Sequence, residues 1–202
     1  SQAGRHADAA PAFERAAAVM AALGRDQTQQ AGTLYNNWAL SLDLSGRPRD
    51  AEPIFRRAIE VSRVDASDSA VSPMLLVNYG RTLRQIGRMD ESARFAQEGY
   101  GRAKSTGFEV VVNQSLLLRA AVYREQGDLA RAGAMLREVE PRLREALPPG
   151  HPGFGGFLIE RALVAQANGD SAGALGFIDQ AYEMAEASRR AEGVLTYIPR
   201  VL

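Results

Sequence analysis

The fold is decided by Tyr35-Asn36-Asn37-Trp38-Ala39-Leu40-Ser41-Leu42-Asp43-Leu44-Ser45-Gly46-Arg47-Pro48-Arg49-Asp50-Ala51-Glu52-Pro53-Ile54-Phe55-Arg56-Arg57-Ala58. Large apolar side chains recur at helical spacing before the glycine (Leu34, Trp38, Leu42) and after it (Ile54, Ala58, Val61). Gly46, followed by Arg47, supplies the left-handed residue that ends the first helix. Ala39 lies seven residues before the glycine, and Ala51 five residues after it. Small side chains at these places let two antiparallel helices approach closely.

The same arrangement recurs along the chain. Gly4, Gly46, Gly87, Gly127 and Gly169 are separated by 42, 41, 40 and 42 residues, and each is followed by Arg or Asp. Five residues beyond them lie Ala9, Ala51, Ser92, Ala132 and Ala174, and twelve beyond lie Ala16, Ala58, Gly99, Val139 and Ala181. Ala39, Gly80, Ala120 and Ala162 precede the last four glycines by seven, and Tyr35, Leu76, Leu116 and Leu158 by eleven. A single hairpin of this kind cannot bury its apolar face alone, so each stacks on its neighbours. The expected fold is all-α, a right-handed α-solenoid of antiparallel helical hairpins.

This repeat resembles the tetratricopeptide repeat (TPR), which Tyr35, Trp38-Ala39, Leu42, Gly46, Ala51, Phe55 and Ala58 follow closely. Its 40 to 42 residues are similar to the longer variety of kinesin light chains and bacterial multidomain regulators. Arg119 and Arg161 depart from the pattern at a position held by Trp38 and Tyr79, and Ala96 and Leu136 stand where Phe is usual. Arginine there calls for a glutamate partner (Glu138, Glu140 or Glu98) or for a head group that snorkels to the surface along an apolar stem; the alternative is an anion held between repeats. One TPR-like array is expected to span residues 1–202. It comprises an orphan helix at about 5–24, hairpins at about 28–63, 72–105, 108–147 and 152–191, and the start of a further repeat at 194–202. Neither end reads as a polar capping helix, so a fragment of a longer protein is expected.

The 24 basic and 24 acidic side chains cancel, which disfavours nucleic acid and anionic membranes as partners. No apolar stretch approaches the roughly 20 residues of a membrane helix, and the expected location is cytoplasmic. With no cysteine and only His6 and His151, no thiolate chemistry, metal site or cofactor is expected. His151, in Pro149-Gly150-His151-Pro152, reads as a capping or packing residue. No catalytic constellation is found, so the chain reads as a non-enzyme.

The resemblance implies that first helices line a concave groove and that binding residues project from them. It places Asn37, Asn78, Arg81, Arg84, Arg124 and Gln114 in that groove. Asparagine amides suit an extended peptide backbone, and arginine forks suit carboxylates; alternatively the asparagines fill an internal polar ladder and the arginines pair with glutamates on neighbouring repeats. The expected partner is a protein or peptide, in particular an acidic one. Two other readings stand beside it. One is a sensor domain of a transcription regulator or Ser/Thr kinase, with a small molecule or signal peptide held in an apolar pocket around Leu117, Leu118 and Ile159. The other is a spacer that self-associates through its uncapped ends.

Overall fold

The computed structural model describes residues 10–63 and 71–197, with side chains as far as residue 190. Gly4, Ala9, His6 and the polar connector at 65–69 therefore lie outside the described residues, as do 198–202. The helices are α1 (Ala10–Ala22), α2 (Gln29–Leu44), α3 (Pro48–Ser62), α4 (Pro73–Gln85), α5 (Met89–Ser105), α6 (Glu109–Glu125), α7 (Leu129–Ala146), α8 (Gly155–Ala167) and α9 (Ser171–Tyr197). A short 3-10 turn, Pro152–Phe154, precedes α8. No strand occurs among the described residues. Residues 194–197, read from sequence as the opening of another helix, continue α9.

The turn glycines act as the sequence requires. Gly46, Gly87, Gly127 and Gly169 have φ of 77°, 83°, 80° and 82°. In each case the glycine N–H donates to the carbonyl three residues back, and the next N–H to the carbonyl five back. Gly46 N–Asp43 O and Arg47 N–Leu42 O are both 3.0 Å. This is the Schellman arrangement, which satisfies the last carbonyls of the first helix while reversing the chain. Gly24 and Gly107 end α1 and α5 in the same way. Entry into the following helix is fixed by Pro48 at the start of α3 and by Asp128 and Asp170, which accept from Arg131 N (2.9 Å) and Gly173 N (2.8 Å).

The chain forms two compact units, residues 1–118 and 119–202. In the first, Phe55, Leu76, Leu83, Val111 and Leu116 are completely buried. The Tyr79 ring packs between Phe55 and Phe95, with centroids 5.9 and 4.8 Å away. Burial of a side chain such as Phe55 contributes roughly 1.5–3 kcal/mol. Helices α4 and α5 approach closely enough for the Ser92 hydroxyl of α5 to donate to the Gly80 carbonyl of α4 at 2.7 Å. A Cβ on Gly99 would stand 2.7 Å from Val77 Cγ2, so larger residues cannot enter without moving α4. In the second unit Val122, Leu136, Val139 and Phe157 form the core, with Ala120, Ala132 and Ala162 at the close approaches.

Candidate functional site

In the first unit, α2 and α4 are the first helices of adjacent hairpins and carry a strip of polar side chains. Asn36 and Asn37 sit on α2, and Asn78, Arg81, Thr82, Arg84 and Gln85 on α4. Asn78, 5% exposed, donates from Nδ2 to Asn36 Oδ1 at 3.5 Å. Asn36 Nδ2 donates onward to Asn37 Oδ1 at 3.3 Å, and Arg81 Nη1 donates to Asn78 Oδ1 at 3.5 Å. These bonds are long and individually weak, but they form a continuous line that ends on exposed Asn37.

Asp43, at the C-terminal end of α2, accepts from Thr82 Oγ1 and Gln85 Nε2, both at 3.1 Å. Burial pushes its carboxyl above the ordinary range, against the pull of Thr82, Arg81, Gln85 and Arg84. Burial likewise lowers Arg81; Asp43 opposes that shift and the charge of Arg84 adds to it. The strip therefore holds two guanidinium groups near one carboxylate whose ionisation is disfavoured.

The other residues selected from sequence lie elsewhere. Gln114, on α6, has a buried Oε1 with no hydrogen-bond partner among the described residues. Arg124 lies in the second unit, where Nε donates to Glu160 Oε1 at 2.7 Å and Nη2 to Glu125 Oε1 at 3.1 Å. Burial works to lower its pKa, but the hydrogen bonds and charges of Glu160 and Glu125 together outweigh this and raise it. Glu160, 8% exposed, stands nine residues before Gly169, as Asn37 and Asn78 stand before their own turn glycines. Of the residues named for the apolar pocket, Leu118 is buried and Ile159 is 48% exposed.

Two further clusters stabilise contacts between successive repeats. Glu52 on α3, 8% exposed, accepts from Tyr79 Oη (2.9 Å), Arg88 Nη1 (2.8 Å) and Arg56 Nη2 (2.7 Å). Burial works to raise the Glu52 carboxyl, but hydrogen bonds from Arg56, Tyr79 and Arg88 prevail and hold it below the ordinary range. Sequence reading did not single out Glu52; it is a carboxylate on an otherwise apolar helix face, and that placement was the available signal. In the second unit Arg161 Nη1 donates to Glu140 Oε2 at 2.8 Å, one of the glutamates expected for it. Its guanidinium also lies 4.6 Å from the Phe177 ring centroid. His151 caps the 3-10 turn, with Nδ1 accepting from Gly153 N at 3.0 Å.

No helix among the described residues is long and apolar enough to cross a membrane. No protein-family model matches the sequence, and no curated protein matches it. Solved structures do. The nearly identical TPR-like repeats of a kinesin light chain from Podosopora anserina share 17% identity at a TM-score of 0.67, over 94% of this chain and 91% of that one. BtubC (BKLC) from P. vanneervenii gives 17% identity and a TM-score of 0.62, over 78% of this chain and 64% of its own. MamA gives 15% identity and 0.58, over 93% and 92%. The fold is that of TPR-like helical repeats, an α-solenoid.

Proposed function

We propose that the chain is a non-catalytic interaction module and that the polar strip of α2 and α4 receives an extended acidic peptide. The observation that carries this reading is the line from Arg81 through Asn78 and Asn36 to exposed Asn37, with Arg84 beside Arg81. Exposed amides pair with peptide N–H and C=O groups, and the partly desolvated guanidiniums complement a carboxylate. An arriving carboxylate offsets the repulsion between Arg81 and Arg84. Gln114, also in the first unit, is a further proposed contact, and Arg124 of the second unit is proposed as a separate carboxylate contact.

The test is fluorescence anisotropy with a library of labelled extended peptides carrying Asp or Glu at alternate positions. Wild type binds a subset. The Asn37→Ala, Arg84→Glu variant, checked for native helicity, binds that subset at least about tenfold more weakly, as the loss of a charge-assisted hydrogen bond requires. No acidic binder, or binders indifferent to both substitutions, would end this reading.

A further inference from the structure

The contact between the last two hairpins differs from the contact between the first two in what fills it. On α3, Glu52 and Phe55 stand six and nine residues beyond Gly46 and lie against Tyr79 of α4. On α7 the corresponding residues beyond Gly127 are Gly133 and Leu136, and Arg161 of α8 takes the place of Tyr79. Glycine for glutamate and leucine for phenylalanine remove volume at two adjacent places. A cleft of about 640 Å³ is present there, lined in part by Gly133, Leu136, Arg137, Arg161, Val164 and Phe177. That volume is within the range of small-molecule sites.

The charges around the cleft are unevenly committed. Glu140 is held by both Arg161 (2.8 Å) and Arg144 (2.7 Å). Asp170 is used at the N-terminus of α9, where Oδ1 accepts from Gly173 N at 2.8 Å. Arg161 is fixed by Glu140 and by the Phe177 ring. Arg137 makes no ion pair among the described residues. Its Nη1 lies 3.3 Å from where a Gly133 Cβ would stand, so the guanidinium hangs over the vacant position.

We propose that this cleft binds a small carboxylate with an aromatic or branched apolar body. The carboxylate pairs with Arg137. The apolar body occupies the space above Gly133, against Leu136, Val164 and the Phe177 ring. The site belongs wholly to the second unit and is independent of the peptide strip of the first.

The test uses 3-phenylpropionate as probe and 3-phenylpropan-1-ol as its uncharged counterpart, by calorimetry and by amide NMR shifts on the intact chain. Wild type binds 3-phenylpropionate, with shifts centred on Gly133 and Gly173, and binds the alcohol about tenfold more weakly. Arg137→Ala loses a similar factor. Gly133→Leu, which fills the space and meets only the flexible end of Arg137, abolishes binding while circular dichroism remains native. Absence of binding to wild type at millimolar probe overturns the proposal. So does equal binding by the acid and the alcohol, or full affinity in the Gly133→Leu variant.

Discussion

Replacing Glu52 with alanine tests how adjacent repeats are held together. Tyr79 is only 4% exposed, and its hydroxyl donates to Glu52, so the substitution leaves a buried donor without its acceptor, at a cost of about 1–3 kcal/mol. Arg56 and Arg88 are 57% and 39% exposed at their side chains, and Arg88 keeps Glu91 at 2.6 Å, so each lost ion pair contributes roughly 0–1 kcal/mol. Better helix propensity returns a few tenths of a kcal/mol. The expected net loss is about 2–3 kcal/mol at neutral pH. Tyr79→Phe alone should cost about 1 kcal/mol, and a double-mutant cycle should give a coupling of similar size. Because the folded-state carboxyl is held below 4.5, its contribution is present at neutral pH. It declines as the pH falls below 4.5 and is gone once the pH is under the folded-state value. The assay is urea unfolding followed by the fluorescence of Trp38, the single tryptophan, which lies on α2 in the first unit. A destabilisation below about 0.5 kcal/mol, or one equally large at neutral pH and about pH 3, would refute the reasoning.

Asp43 should respond to pH with the opposite sign. Its carboxyl is raised above 3.8, so its contribution is greatest below that value and is lost as the pH rises through the raised one. Asp43→Asn should therefore be more stable than wild type at neutral pH and lose this advantage in acid, read by urea unfolding at both. Two glycines of α5 should diverge in thermal unfolding. Gly99→Ala meets Val77 at 2.7 Å and should cost about 1–3 kcal/mol, whereas Gly101→Ala meets nothing and should gain roughly 0.5–1 kcal/mol. In the second unit, Arg124→Ala leaves the carboxylate of buried Glu160 without its guanidinium and should cost about 3 kcal/mol. The Arg124→Ala, Glu160→Ala double variant should cost less than the sum of the single changes in circular-dichroism melts.

The repeat was legible because its determinants are local. A glycine forced into the left-handed region and small residues at fixed offsets specify a hairpin regardless of what surrounds it, and the φ values at Gly46, Gly87, Gly127 and Gly169 agree with this. The glutamate partner of Arg161 was also legible, since an arginine at a core position needs a nearby carboxylate. Partner choice across repeats was not. Glu52 and Tyr79 are 27 residues apart, and Asn36 and Asn78 are 42 apart. Their pairing depends on how one hairpin settles on the next, and side-chain type alone does not encode that. Arg124 illustrates the same limit: its position on a first helix is readable, but its commitment to Glu160, 36 residues away, is not. The α7–α8 cleft escaped notice because it arises from missing volume at Gly133 and Leu136, which no motif marks.

The interchangeable turns have an evolutionary consequence. Each repeat begins and ends on the same backbone geometry, so the chain can gain or lose material only in whole periods. Removing residues 47–87 would join Gly46 to Arg88 and leave Ser92 and Gly99 five and twelve residues past the turn, as Ala51 and Ala58 are now. The small-residue contacts would find their register again at once. Removing half that length would set every later helix against the wrong face of its partner. Recombination within such a gene is therefore filtered by helix geometry, which favours whole-repeat changes over partial ones.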